Sequence, residues 1–320
     1  IFNITAYHPE TQNYTSSSET WYVNVITLIP PTVNLISPEN NTVTWDPAQF
    51  FTCNATDDTE LANITLYIWN STGSKIYNET KQVSGTYAEE MWDYTLPYSD
   101  TFSWNCLAYD TSGNSAWSQQ GNYTLIIDMI PPTYSNVSTP QTPTTYQPGA
   151  NYSFNITWTD NVEVDTAILE FYAYDSINNM WEIHNYTMNK NGDEYYYTLT
   201  DLAAGLYDFK FWANDTAGNW GVTDFYHLDI WKANSTVYLY LNNTRSNITI
   251  EKGTSIWINA TLEEGEGIVE IYKNQTLINS GYPPLSNYTL FNETGIFNIT
   301  AYHPETQNYT SSSETWYVNV

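Results

Sequence analysis

The chain has 320 residues, 35 of them acidic and 8 basic, for a formal net charge of −27. So few Lys and Arg residues exclude a nucleic-acid binder that works through phosphate contacts, and they argue against docking on anionic membranes. Only 13 % of residues are charged and 17 % are aromatic, so this is a strand-favouring chain rich in Tyr, Trp, Thr and Asn rather than a disordered acidic tail. The length suits two or three domains of about 100 residues each. No apolar run approaches the ~18 residues of a membrane span, and no signal peptide opens the chain. Ile1-Phe2-Asn3-Ile4 reads as the middle of a domain, so a window cut from something longer is expected.

A repeat organises the chain. Residues 1–25 recur letter for letter at 296–320, a period of 295 residues. Chance cannot produce this, and a fixed period marks a repeat architecture. A tandem array, a cut repetitive polymer and a single duplicated segment all fit. A weaker repeat lies inside. Ile29-Pro30-Pro31-Thr32 returns as Ile130-Pro131-Pro132-Thr133, and Thr56-Asp57-Asp58 answers to Thr159-Asp160-Asn161. Asp110-Thr111-Ser112-Gly113-Asn114 answers to Asp215-Thr216-Ala217-Gly218-Asn219. The predicted division is a hairpin at 1–25, then domains at 26–128, 129–231 and 232–320. The hairpin 1–25 belongs by sequence to a preceding domain of the third type. It is either an arbitrary cut in a continuous array or a piece that completes a neighbouring chain's third domain by strand addition.

Strands are predicted throughout, because apolar and polar residues alternate with period 2 and Gly, Pro or Asn clusters separate the runs. In the third domain they fall near 235–241, 247–251, 255–262, 268–273, 287–291, 296–302 and 314–320. Seven short strands in under 90 residues suggest an antiparallel sandwich. The two Asp-Thr-x-Gly-Asn runs suit hairpins in which Asp caps the turn and Gly takes a positive φ. Cys53 follows Phe50-Phe51-Thr52, and Cys106 follows Phe102-Ser103-Trp104-Asn105. Their spacing can bridge two facing sheets through one core, with two free buried thiols as the alternative. The matching positions in the second domain are Ile156 and Phe211, where apolar packing would replace the bridge.

The Pro-Pro-Thr openings, the Thr-Asp-Asp and Thr-Asp-Asn runs and the Asp-Thr-x-Gly-Asn runs resemble immunoglobulin-like repeat modules of archaeal and bacterial cell-surface proteins. Asn308-Tyr309-Thr310-Ser311-Ser312-Ser313 before Trp316-Tyr317-Val318 resembles a second Ig-like repeat class from such proteins. The resemblance covers nearly all of the chain. It implies an all-β fold of three tandem Ig-like antiparallel β-sandwiches, and an extracellular stalk, S-layer, fibre or adhesin role. It implies no catalytic residues.

The most informative motif is Asn-x-Ser/Thr. It occurs at Asn3, Asn13, Asn40, Asn54, Asn63, Asn70, Asn78, Asn122, Asn136, Asn151 and Asn155. It occurs again at Asn185, Asn214, Asn234, Asn242, Asn247, Asn259, Asn274, Asn287, Asn292, Asn298 and Asn308. That is 22 of 36 Asn residues, where Ser and Thr content alone gives roughly 8 by chance. Covalent N-glycans on an extracellular protein are therefore expected. About 14 sequons carry an apolar or aromatic middle residue. On a strand, Asn and Thr would then share the outer face while the middle residue enters the core. The alternative is that Asn and Thr are merely favoured exposed strand residues.

Other chemistry is weaker. Of the four His residues, His8, His184, His227 and His303, the pair His8 and His303 precedes Pro in a hairpin turn and has no Cys or Asp at nucleophile or metal spacing. Glu263-Glu264-Gly265-Glu266 reads as a solvated turn. No enzyme and no resident cofactor is expected. Calcium at Asp57, Asp58, Asp110, Asp160 and Asp215 is a candidate, because the loops that carry them fall at one end of each sandwich. Local turn capping is the competing reading. Trp181, Trp220 and Trp231 are candidate stacking platforms for an environmental or host-surface glycan, though most aromatics must fill cores. The expected function is a structural repeat unit of a glycosylated filament, stalk or S-layer-like protein whose partners are copies of itself. The rival is an adhesin that uses the domains as spacers.

Overall fold

The computed structural model describes residues 1–25, 29–175 and 180–320, and every regular element among them is a β-strand. No helix among the described residues is long and apolar enough to cross a membrane. The chain forms two compact units. One comprises Ile1–Pro131 with Asn161–Glu163 and Asp215–Asn219. The other comprises Pro132–Asp160, Val164–Asn214 and Trp220–Val320. The first unit holds one buried apolar core and the second holds two.

Each core lies between two sheets. In the first sandwich, Thr32–Ser37, Ala48–Thr56 and Tyr87–Thr95 form one sheet. The facing sheet runs in the order Thr42–Thr44, Tyr123–Ile127, Asp100–Asp110, Leu61–Trp69, Lys75–Gln82. All its pairs are antiparallel except Thr42–Thr44 beside Tyr123–Ile127. The alternation in sequence becomes alternation in burial: Phe51, Cys53 and Ala55 are fully buried, while Thr52 and Asn54 between them are not. Cys53 and Cys106 are joined in a disulfide that ties the two sheets through the core. Phe51 meets the buried Trp104 edge-on beside it, with centroids 5.3 Å apart.

The second sandwich repeats this plan. Thr133–Ser138, Asn151–Thr159, Glu194–Thr200 and Asn189–Asn191 face a sheet built on Tyr226–Trp231, Gly205–Asp215, Val164–Asp175 and Met180–Thr187. Ile156 and Phe211 are both fully buried in its core, so apolar packing occupies the positions that match the two cysteines. A charged cluster sits on its flank. Lys210 Nζ lies 3.3 Å from Glu170 and between 4.7 and 4.8 Å from the ring centres of Trp212 and Phe225. Burial pushes the Glu170 pKa up, but donation from Tyr172, Trp212 and Lys210 outweighs it and holds the carboxyl below its usual range.

The third sandwich pairs Thr236–Leu241, Thr254–Glu264 and Leu285–Phe291 against Ile248–Thr249, Ser312–Asn319, Ile296–His303, Val269–Lys273 and Thr276–Gly281. The sequence anticipates seven of these strands and misses Thr276–Gly281. That strand follows a two-residue turn, Asn274-Gln275, with φ of 47° and 67°. Positive φ at both positions is the geometry of a tight hairpin. Asn-Gln is not the Asn-Gly pair that announces it, so the signal is weak.

The identical segments adopt the same hairpin twice. Phe2–His8 pairs with Ser17–Val23 with Ile4 opposite Trp21, and Ile296–His303 pairs with Ser312–Asn319 with Ile299 opposite Trp316. Their surroundings differ completely. Every residue of 1–25 is exposed, Ile4 at 62 % and Tyr14 at 72 %. In the second copy Ile299, Ala301, His303 and Val318 are fully buried and Tyr309 is buried. Covering a side chain the size of Ile contributes about 1.5–3 kcal/mol.

Within the second unit, the loop of that second hairpin also ties its two sandwiches together. The Ala204 N–H donates to Asn308 Oδ1 at 2.9 Å, and Asn308 Nδ2 donates to Glu266 Oε2 at 3.2 Å. Tyr309 enters the core of the neighbouring sandwich edge-on to Tyr146. His303 has both ring nitrogens engaged: Nε2 donates to the Glu266 carbonyl at 2.7 Å, and Nδ1 lies 2.9 Å from Ser235 Oγ.

Candidate functional site

The candidate glycan acceptors lie on the outer faces. None of the 22 sequon Asn residues is buried. At five strand sites the middle residue points the other way, with Ala55, Ile64, Ile156, Ala260 and Ile299 fully buried, whereas Ile4, Tyr14 and Tyr288 are exposed. The pleat of a strand makes this unavoidable once the core face is chosen, since i and i+2 share a face. The amide nitrogen that would carry the sugar differs in freedom from site to site. Nδ2 of Asn70, Asn214, Asn259, Asn287 and Asn308 each donates a hydrogen bond.

Asn308 is engaged through both amide atoms, because its Oδ1 and Nδ2 both serve the junction described above. Its copy Asn13 is exposed. Asn13→Gln should therefore remove one glycan from the intact mass, while Asn308→Gln should leave it unchanged. Equal losses from both variants would show that modification ignores the folded surroundings.

Of the carboxylates proposed for calcium, Asp57, Asp110 and Asp215 are engaged in their own turns. Asp57 Oδ1 accepts from the Thr59 N–H and hydroxyl at 2.9 and 2.7 Å, and Asp58 is exposed beside it. Asp110 accepts from the Asn114 N–H and amide at 2.8 and 2.6 Å, and Gly113 holds φ +91° as the turn requires. The Thr111 N–H donates to the Glu60 carbonyl at 2.9 Å, so the loop of Asp57 and the turn of Asp110 do meet. Asp215 repeats the pattern with the N–H groups of Gly218 and Asn219 at 2.7 and 2.8 Å. Asp160 lies half-buried just after Asn151–Thr159 in the other unit.

Asp128 is a residue that the sequence did not single out. It is fully buried, its Oδ1 accepts from the Ile130 N–H at 3.0 Å, and its Oδ2 is buried with no hydrogen-bond partner. Carboxylate oxygens of Asp128 and Asp215, both in the first unit, lie within 4.8 Å of each other. Two buried carboxylates this close favour a cation between them.

Burial pushes the Asp110 pKa up, but donation by Asn114 and by the N–H groups of Ser112 and Gly113 outweighs it and holds the carboxyl below its usual range. A carboxyl lowered by folding stabilises the native state above its unfolded pKa of about 4 and loses that contribution as the pH falls through the folded value. Asp110→Asn should thus be less stable than the wild type at neutral pH, with the difference vanishing in acid. A gap that persists below pH ~2 would assign the effect to geometry instead of charge.

The tryptophans proposed as platforms are exposed, Trp181 at 42 %, Trp220 at 50 % and Trp231 at 60 %. Among the described residues no ring contact joins any two of them. Trp181 tilts against Tyr174 at 5.2 Å, and Trp220 stands edge-on to Trp212 at 6.4 Å. A denser group lies on the first sandwich. Tyr67 stacks with Trp69 at 5.8 Å, and Trp117 meets Tyr67 at 4.9 Å and Trp69 at 6.0 Å. Period 2 places Tyr67 and Trp69 on one face, but only sheet pairing brings Trp117 to them, so sequence reasoning missed the group.

No known protein family matches the sequence, and no curated protein matches it. Solved structures with similar architecture include the fibronectin(III)-like modules of Clostridium thermocellum CbhA, at 18 % identity and TM-score 0.24 over 58 % of this chain and 94 % of that one. The FN1–FN3 domains of chicken CNTN1 align at 13 % identity and TM-score 0.27, covering 91 % of this chain and 99 % of theirs. A 1.5-MDa bacterial ice-binding adhesin aligns at 11 % identity and TM-score 0.35, covering 92 % of this chain and 100 % of the solved one. The chain is an all-β protein whose three buried cores each lie between two β-sheets.

Proposed function

We propose that the chain is a structural repeat unit of an extracellular, heavily N-glycosylated surface protein, a filament, stalk or S-layer-like element without catalytic function. One observation carries the reading: 22 acceptor sites, none of them buried. Sugars on the outer faces would shield strand edges from pairing with other chains and hide backbone from proteases. The net charge of −27 would keep neighbouring units apart and hydrated. The disulfide suits an oxidising compartment. The test is the intact mass of native material together with electron microscopy. Many glycans on an ordered fibre or lattice would support the reading. An unmodified chain dispersed as single molecules would end it.

A second reading, an adhesin that binds an environmental or host glycan, draws on the Tyr67, Trp69 and Trp117 group. Binding to a glycan array that disappears in Trp117→Ala would favour it. Calcium is proposed as a stiffening ion held by Asp128 and Asp215 in the first unit. Added calcium should raise the melting temperature of that unit, and Asp128→Asn should abolish the rise. An unchanged melting temperature at millimolar calcium would discard the ion.

A further inference from the structure

The outer face of the first sandwich brings a ring group and a glycan acceptor to one place. Strands Leu61–Trp69 and Lys75–Gln82 pair antiparallel, with Tyr67 opposite Asn78 and Thr65 opposite Thr80. Residues directly opposite share a face, with Cβ atoms about 4.5–5.5 Å apart. The Thr65 and Thr80 hydroxyls lie 2.8 Å from each other, as that shared face requires. Asn78 and Thr80 belong to the sequon Asn78-Glu79-Thr80, and Asn78 is exposed. Tyr67 is the centre of the ring group: Trp69 stacks on it at 5.8 Å and Trp117 meets it edge-on at 4.9 Å. Lys75 Nζ stands 5.5 Å from the centre of the same Tyr67 ring. Trp117 remains exposed although it has two aromatic neighbours.

We infer that Tyr67, Trp69 and Trp117 are the seat of the chain's own glycan at Asn78, whose first sugars pack on these rings. The inference rests on the glycoprotein reading and assigns one of its sugars a place. The first sugar is joined to Asn78 Nδ2, so it begins one side-chain length from Tyr67 with no linker to span. A pyranose has an apolar face of C–H groups and a rim of hydroxyls. Its C–H face suits the negative face of an aromatic ring, and the Lys75 ammonium can donate to a hydroxyl on the rim. Tethering gives the sugar an effective concentration of about millimolar at the rings, so a contact too weak to hold a free sugar is held here. An outside glycan has no such advantage, and rings under the chain's own sugar are closed to it. In the second sandwich the sequon Asn185 lies opposite Glu170 instead, a carboxylate held by Lys210 and Tyr172. No ring stands directly across from that acceptor.

The test uses the full glycosylated chain. Glycopeptide mass should find Asn78 modified. Melting of the first sandwich is then compared in the wild type, Asn78→Gln, Trp117→Ala and the double variant. Asn78→Gln should lower the melting temperature by about 4 °C or more in the wild-type background, and by less than about 1 °C beside Trp117→Ala. Trp117→Phe, which keeps a ring, should restore most of that difference. The same four chains stripped of sugar by a glycosidase should show no coupling, which separates the sugar from the Asn78 amide itself. Equal shifts in both backgrounds at an occupied Asn78 would overturn the inference and leave the glycoprotein reading standing. So would coupling that survives the stripping, or a chain with sugars elsewhere and none at Asn78. A chain bearing no sugar at all would end both.

Discussion

Ile299→Ala lowers the stability of the third sandwich by about 2–5 kcal/mol, while Ile4→Ala changes stability by less than about 0.5 kcal/mol. The two positions have the same neighbours in sequence and the same strand register, so propensity cancels between them. They differ in burial alone: 0 % exposure against 62 %. Truncation at Ile299 loses the transfer free energy of three carbons and opens a cavity among Val237, Ile256 and Ile271, whose side chains belong to the same core. Truncation at Ile4 removes only a solvated side chain. For a domain of this size each kcal/mol moves the melting temperature by about 4–8 °C, so the first variant should be plain in a calorimetric trace. The measurement belongs at low micromolar concentration. Equal shifts in both variants would mean that hairpin 1–25 is already covered under those conditions.

Removing the disulfide is the second large effect. Cys53 and Cys106 are 53 residues apart, and closing a loop of that length restricts the unfolded chain by about 4 kcal/mol in the entropic account. Reduction, or Cys53→Ala with Cys106→Ala, should therefore shift the unfolding of the first sandwich and spare the second. The second core has Ile156 and Phe211 at the matching places and does not depend on a covalent tie. A melt that resolves the domains, with and without reductant, reads both at once. If the two sandwiches moved together, the bridge would not be acting on the first core alone. A loss under about 1 kcal/mol would mean that the reduced, unfolded chain keeps most of its restriction.

Much of this fold is written in local patterns. Period-2 alternation locates the core face of Ala48–Thr56 and Asn151–Thr159, and the same alternation predicts that Asn54 and Asn155 point away from it. The Asp-Thr-x-Gly-Asn turns are legible because Gly113 and Gly218 need the positive φ they adopt, +91° and +100°. The cysteine pair is legible because each sits on an apolar strand. What is not legible depends on partners far away in sequence. Asp128 looks like any polar residue at a strand end, and only the approach of Asp215 and Asn219 makes it notable. Asn219 Nδ2 donates both to the Asp128 carbonyl at 2.8 Å and to Asp215 Oδ2 at 2.7 Å. His303 reads as a turn residue before Pro304, yet it is fully buried, and Ser235 and Glu266 come to it from loops distant in sequence. Its copy His8 lies exposed, so no local rule could have separated them. Trp117 joins Tyr67 and Trp69 only through sheet pairing. The missed strand Thr276–Gly281 hides behind a turn whose residues are atypical for its geometry.

The covalent tie between the two sheets of the first sandwich also sets how far that domain can be drawn out by force. A pulled chain can lengthen only through residues that lie outside the closed loop. From Thr32 to Ile127 that leaves fewer than half of the residues, which at full extension release about 150 Å. The second sandwich, from Thr133 to Trp231 and with no such loop, releases about 340 Å. Under tension the first sandwich is therefore a short-reach element and the second a long-reach one, and reducing agents would make the two alike.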